Sequence, residues 1–291
     1  MKTENNLLIF MLLVVATTAT FFFIWNYDFN ESIRLEEELD AILENNFKNT
    51  SFIAEAISVY DITRNKKIYG KNDDIALPIA SLAKMMTVIV GLNGHKEDES
   101  IYISKNAINQ TGDFGIFALE KWKMSDIAKF TLITSANDGA YTLAERDENF
   151  IEKMNSKAKR IGMENTIFLN VTGLDVAMDQ AGAYASALDV NKMAMYLTLA
   201  YPEISNVTVL PELNLKSESG FLHNFKNTNI LISKIPNLVF SKTGYTEAAG
   251  GSLVIVFKNK KEHFIAVTLL GSTFSGRFTD MEKIVEILYN S

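Results

Sequence analysis

Residues 7–25, "LLIFMLLVVATTATFFFIW", run for nineteen positions without a charge. Such a segment admits few structures. As a helix it is about 28 Å long against a hydrocarbon layer of roughly 30 Å, and a backbone placed in lipid must satisfy its own hydrogen bonds. One N-terminal transmembrane helix is therefore expected. Lys2 precedes the run, whereas Asp28, Glu31, Glu36, Glu37, Glu38 and Asp40 follow it, so the charge asymmetry leaves the short N-terminus in the cytoplasm and the bulk of the chain outside. The competing reading is a cleaved signal peptide. The run exceeds the usual apolar core of one, and "ATTAT" is a poor cleavage site. The expected localisation is the cell membrane, single-pass, with the folded part on the extracytoplasmic side.

Beyond the apolar run, Leu35, Leu39, Ile42, Leu43 and Phe47 recur near helical spacing among acids. This pattern predicts a solvated helical stalk. From residue 51 onward there are no repeats, low-complexity runs or Pro/Gly-rich linkers, which argues for one domain. The expected organisation is an anchor over 1–26, a stalk or linker over 27–50 and a single folded domain over 51–291.

Hydrophobic residues make up 47% of the 291, enough for a packed core of that size. The net charge of −7, with no Lys/Arg run, argues against a nucleic-acid partner. The absence of cysteine removes disulfides, thiolate nucleophiles and Cys-ligated zinc. His95, His223 and His263 share no ligand spacing and read as a loop, a turn and a strand residue, so neither a metal nor a cofactor is expected. No G-x-S-x-G elbow indicates a Ser-His-Asp triad.

Two β-rich stretches bracket a helical middle. "AEAISVYDITRNKKIYGKN" reads as a hairpin, and "NLVFSKTGY", "GSLVIVFKN" and "HFIAVTLLGS" read as consecutive antiparallel strands that could share its sheet. "TDMEKIVEILYN" reads as a closing amphipathic helix with Thr279 or Asp280 as its cap. The layout is α+β.

Chemistry concentrates in three places. In "SLAKMMTVIVGL", a helix starting near Ser81 would put Ser81 and Lys84 on one face, within hydrogen-bond reach. A serine needs a base to become a nucleophile, and an amine is a base only when neutral. Burial among Met85, Met86, Val88 and Ile89 would have to lower its pKa by about three units. The same spacing recurs at Ser156 and Lys159, on what reads as the polar face of an ordinary helix. "SAND" supplies Ser135 and Asn137, a pairing repeated at Ser104 and Asn106. "SKTGY" places Lys242, Thr243 and Gly244 at the end of a strand pattern, where a substrate backbone could approach a sheet edge. Each motif alone is weak. Their set and order carry the weight.

S-x-x-K, S-x-N and K-T-G in this order form the signature of penicillin-binding proteins and class A β-lactamases. The sequence resembles the low-molecular-weight D-alanyl-D-alanine carboxypeptidases, serine peptidases that trim peptidoglycan stem peptides, over essentially residues 52–288. The resemblance implies a β-lactamase/penicillin-binding-protein-like fold, an antiparallel sheet with a helical subdomain, and makes 51–291 the catalytic domain. It implies Ser81 as the acylated nucleophile and Lys84 as its base, with Ser135 and Asn137 relaying the proton and holding the substrate amide. Lys242 and Thr243 would bind the terminal carboxylate. The Ser81 and Tyr245 N–H groups would form the oxyanion hole behind Gly244, and Arg277 would stand near the carboxylate pocket. The implied partners are the peptidoglycan stem peptide and, as inhibitors, β-lactam antibiotics.

Three positions depart from the family pattern: Ile79 replaces a proline, Thr172 the histidine of His-Gly-Leu, and Tyr245 a histidine after K-T-G. A class A β-lactamase would need a deacylating glutamate in an E-x-x-L-N loop, and Glu164 in "ENTIFLN" is mis-spaced for it. A D,D-endopeptidase that cuts cross-links would keep the same residues. A catalytically silent wall-binding relative would not be expected to retain every reactive group.

Overall fold

The computed structural model describes residues 2–93, 99–112 and 114–290, excluding the side chains of residues 2–10, 12–16, 19, 24, 28, 30, 32, 33 and 290. Two compact units result, residues 1–49 and residues 50–290. The first is one helix, α1 (Lys2–Lys48), which runs without a break through both the apolar run and the acidic stalk. Among the described residues no helix is long and apolar enough to cross a membrane. Many of the side chains between residues 7 and 25, on which the expectation of a span rests, lie outside that description.

The second unit opens with β1 (Ala56–Asp61), β2 (Lys66–Lys71) and the short β3 (Leu77–Pro78). A 3₁₀ turn (Ala80–Ala83) leads into α2 (Lys84–Leu92). Then come β4 (Ser100–Tyr102), α3 (Lys105–Ile108), β5 (Lys121–Lys123), α4 (Met124–Thr134), α5 (Asn137–Ala144) and α6 (Phe150–Arg160). β6 (Thr166–Phe168), β7 (Ala183–Ala185), α7 (Ala187–Ala200) and α8 (Pro202–Ser205) follow. The chain closes with β8 (Glu212–Lys216), β9 (Leu222–Lys226), β10 (Leu238–Thr246), β11 (Gly250–Lys258), β12 (Phe264–Ser272) and α9 (Gly276–Asn290).

The two ends of this unit do share a sheet, ordered β10-β11-β12-β1-β2 with every pair antiparallel. β11 is buried from Gly251 through Phe257. Successive strand side chains point to opposite faces, so both faces of β11 are covered, and α7 and α9 both pack on it. Each Val, Ile, Leu or Phe buried there contributes roughly 1.5–3 kcal/mol. The second layer is helical. All nine residues of α2 are buried, and α4, α5, α6 and α7 surround it. A helix buried around its whole circumference belongs at the centre of a bundle.

Four expectations need correction. α9 begins at Gly276, not at Thr279 or Asp280: the Gly276 N–H donates to Thr273 Oγ1 (2.9 Å), which starts the helix one turn early. Asp280 is instead fully buried, its Oδ2 accepting the Ala54 N–H at 2.8 Å. His223 lies in β9 rather than in a turn, buried with Nε2 2.7 Å from Glu120 Oε1 and Nδ1 2.9 Å from Gly115 O. His263 lies one residue ahead of β12 and contacts Asp61, whereas His95 is outside the described residues. Finally, K-T-G sits inside β10, whose ladder continues to Thr246, instead of ending the strand.

Candidate active site

Ser81 is held in the 3₁₀ turn, and Lys84 is the first residue of α2. The backbone just before Ser81 is strained: Ala80, which has a side chain, adopts φ +47°. Such conformations cost of order 1–3 kcal/mol and persist where the surrounding fold imposes them. The turn brings Lys84 Nζ and Ser81 Oγ to 2.7 Å, and Nζ also donates to the Thr172 carbonyl at 2.7 Å. Lys84 is 0% exposed. Burial pushes its pKa down to about 7, against an opposing pull from Asp138 on α5. Close to neutrality, a large fraction of the amine is unprotonated and able to take the Ser81 proton.

The second pair closes from the other side of the cleft. Ser135 terminates α4 in the left-handed region, φ +65°, and its Oγ accepts a 2.8 Å hydrogen bond from Lys242 Nζ on β10. Lys242 also donates to Thr243 O at 2.6 Å. Its own pKa lies well below the usual lysine range, because of burial and then because Lys84 and Arg277 stand nearby. An incoming carboxylate would favour its charged form. Thr243 Oγ1 shares a 2.6 Å hydrogen bond with Thr228 Oγ1.

Gly244 joins the two halves. A Cβ there would lie 3.0 Å from Ile79 O and 3.2 Å from Ser81 N, so a residue without a side chain lets β10 approach the Ser81 turn this closely. β10 is also the edge strand of its sheet, the position from which an extended peptide is recognised through main-chain hydrogen bonds. Arg277, at the start of α9, is 4% exposed and donates from Nη1 to Gly244 O at 2.6 Å. Its guanidinium stacks on Phe274 and Phe278, and burial lowers its pKa to about 10. Tyr245 is 42% exposed and meets Phe274 edge to face. Asn137, at the start of α5, donates from Nδ2 to Thr111 O (2.6 Å). Its buried Oδ1 has no hydrogen-bond partner among the described residues.

The structure thus brings Ser81, Lys84, Ser135, Lys242, Thr243, Gly244 and Arg277 together, with Tyr245 next to Gly244 and Asn137 two residues beyond Ser135. Several neighbours were not legible in the sequence. Asp138, beside Asn137 in "SAND", acts on Lys84 and could have been flagged by adjacency. Thr172 and Thr111 contribute main-chain carbonyls, and Thr228 a hydroxyl from a distant loop, none of which leaves a pattern in sequence. The recurring motifs go elsewhere: Ser156 and Lys159 are exposed on α6, Ser104 caps α3, and Glu164 is exposed in the loop before β6. No group of acidic and histidine side chains among the described residues could hold a metal ion.

Comparison with known proteins places this geometry. The model of the D-alanyl-D-alanine carboxypeptidase family matches residues 44–273. The carboxypeptidase DacF of Bacillus subtilis is 33% identical over 84% of this chain, which spans 64% of that relative's length. The D-alanyl-D-alanine endopeptidase of Escherichia coli is 31% identical over 73% of this chain and 70% of its own. Among solved structures, the ampicillin-bound penicillin-binding protein D2 of Listeria monocytogenes superposes with a TM-score of 0.68 at 29% identity, covering 82% of this chain and 98% of that one. A Streptomyces DD-transpeptidase variant shares the fold, with a TM-score of 0.75 at 22% identity over 84% of this chain and 100% of its own. A fold of this class, an S-x-x-K pair at hydrogen-bond distance and a K-T-G strand beside it together identify the chain as a member of the D-alanyl-D-alanine carboxypeptidase family.

Proposed function

We propose that this protein is a serine-type D-alanyl-D-alanine carboxypeptidase that removes the terminal D-alanine from peptidoglycan stem peptides, with β-lactam antibiotics as inhibitors. The observation that carries the reading is the 2.7 Å contact between Ser81 Oγ and the wholly buried amine of Lys84. In the first step Ser81 Oγ bonds to the carbonyl carbon of the penultimate D-alanine while its proton passes to Lys84 Nζ. The oxyanion is met by the N–H groups of Ser81 and Tyr245. As the C–N bond breaks, a proton reaches the leaving amine through Ser135, which Lys242 holds by hydrogen bond. Lys242, Thr243 and Arg277 would take the terminal carboxylate, and Asn137 Oδ1 a substrate N–H. Water then attacks the ester, gives a proton to the base and releases Ser81.

The tether belongs to the same proposal. The uncharged run 7–25 and the acids after it support a membrane anchor with the enzyme on the extracytoplasmic side, where its substrate lies. A second reading, a D,D-endopeptidase cutting cross-links, is favoured by relatives of that name at about the same identity.

The test is intact-mass measurement of the full chain, in detergent, after incubation with benzylpenicillin. A single stable adduct is expected, absent in Ser81→Ala. An adduct persisting in Ser81→Ala would move the nucleophile elsewhere. Release of D-alanine from a pentapeptide, set against cleavage of a cross-linked dimer, then separates the two substrates.

A further inference from the structure

Thr172 stands where relatives of this family carry a histidine, yet the atom that reaches Lys84 is the Thr172 main-chain oxygen. The position of that oxygen is set by its own loop. Asn170 Oδ1 accepts hydrogen bonds from Thr172 N (3.1 Å), Thr172 Oγ1 (3.2 Å) and Gly173 N (2.7 Å), and its Nδ2 donates to Leu174 O at 2.8 Å. One side chain thus ties three consecutive residues, 172–174, into a bend by four hydrogen bonds, an Asx turn extended by one residue. The loop is clamped on both sides. A Cβ at Gly182 would fall 2.3 Å from Asn170 Nδ2, and a Cβ at Gly173 (φ +77°) would fall 1.9 Å from Ala80 O, the residue before the nucleophile. The neighbouring Val171 carbonyl accepts from Thr87 Oγ1 on α2 at 2.6 Å. At its far end Asp175 accepts from Thr246 Oγ1 (2.8 Å) and Ala248 N (3.2 Å), at the end of β10.

We infer that Asn170 is a positioning residue for Lys84: by bending residues 170–174 it holds the Thr172 carbonyl where that oxygen takes one N–H of the amine and turns the lone pair toward Ser81 Oγ. A neutral amine has two N–H groups and one lone pair, and a carbonyl can only accept. With one N–H committed to Thr172 O, rotation about the last C–N bond is restricted, and the Ser81 hydroxyl proton meets the lone pair. The orienting atom belongs to the backbone, and Asn170 places it. The Asp175 end of the same strap fixes the strand that carries Lys242, Thr243 and Gly244, so both halves of the cleft share one support.

This role rests on the acyl-enzyme reading above, and the test keeps the two apart. The rate constant for acylation by a fluorescent penicillin is measured per active site across pH 5.5–9 for the full chain. Asn170→Ala is expected to lower it roughly ten- to hundredfold, the cost of a misplaced reacting group. Its acid limb should also move to higher pH, because water entering beside the amine relieves the desolvation that holds Lys84 near 7. Asn170→Ser, which keeps a hydroxyl able to accept the same N–H groups, should fall between, and it decides the question if the alanine variant does not fold. Asn155→Ala is the structural control. It removes three hydrogen bonds to Phe168 and Ile151 just before the strap, and should lower the melting temperature while leaving rate constant and acid limb in place. Wild-type rate and limb in folded Asn170→Ala, or the same limb shift in Asn155→Ala, would overturn the inference while leaving the proposed function standing. A wild-type protein that takes up no penicillin would overturn both.

Discussion

Ser81 with Lys84, and Ser156 with Lys159, present the same S-x-x-K spacing in two regions of the molecule. The first pair spans the junction of a 3₁₀ turn and α2, with the lysine wholly buried and its amine 2.7 Å from the hydroxyl. The second lies on α6, both residues exposed to water. Spacing makes the contact possible, but a solvated ammonium stays charged and cannot take a proton. What separates the two is the company each lysine keeps. α2 is covered on every side by α4, α5, α6 and α7, whereas α6 keeps a charged face. A lysine lowered to about 7 is thus the product of helix packing as much as of motif.

That contrast can be broken most directly by truncating each of the two lysines in turn. Lys84→Ala should slow acylation by penicillin about 10²–10⁴-fold, the usual contribution of a general base, whereas Lys159→Ala should stay within about twofold, as measured by stopped-flow or quenched labelling. Equal losses in both would remove the distinction.

A second effect follows from protonation. Only the neutral amine accepts the Ser81 proton, and the Lys84 pKa lies at about 7, so acylation should fall about tenfold per unit as pH drops below that value and level off above it. A flat profile between pH 5.5 and 8 would mean that Lys84 is not the titrating base.

The smallest effect is thermodynamic and has the opposite sense. The folded pKa of Lys84 lies below its unfolded value of 10.5, so between about pH 7 and 10.5 the unfolded chain binds more protons and stability rises with pH. The cost of burying the amine is therefore greatest below pH 7. Lys84→Met should stabilise the fold by about 1–3 kcal/mol at pH 7, an advantage that shrinks toward pH 10. Lys159→Met should change stability by no more than about 0.5 kcal/mol. Denaturant melts at pH 6.5 and 9.5 measure the difference.

Much of the fold was legible because it depends on local pattern. The hairpin of β1 and β2, the apolar runs of β11 and β12, and the periodicity of α9 appear directly in the residues, and the antiparallel sheet follows from their order. The failures have a common cause. Asp280 looks like a helix cap in sequence, but its carboxylate is drawn inward by the Ala54 N–H, 226 residues away. His223 looks like a turn residue, yet Glu120 and the Gly115 carbonyl hold it inside β9. Arg277 is placed near the carboxylate pocket by the family resemblance alone; no local pattern shows it buried against Gly244 O, which the approach of β10 decides. In each case a long-range partner overrode a local preference.

The amino-acid order alone determined which reactive groups exist, that Ser81 and Lys84 lie within one helical turn of each other, and that the strand carrying Lys242, Thr243 and Gly244 can join its neighbours in a ladder. These are consequences of short-range geometry, where spacing sets distance. Only the tertiary structure decided that Lys84 loses its water and is lowered to about 7, that Lys242 meets Ser135 across 107 residues, and that the Thr172 carbonyl faces the amine. Desolvation and convergence depend on what packs against a group, and that is settled by chain segments far away in sequence.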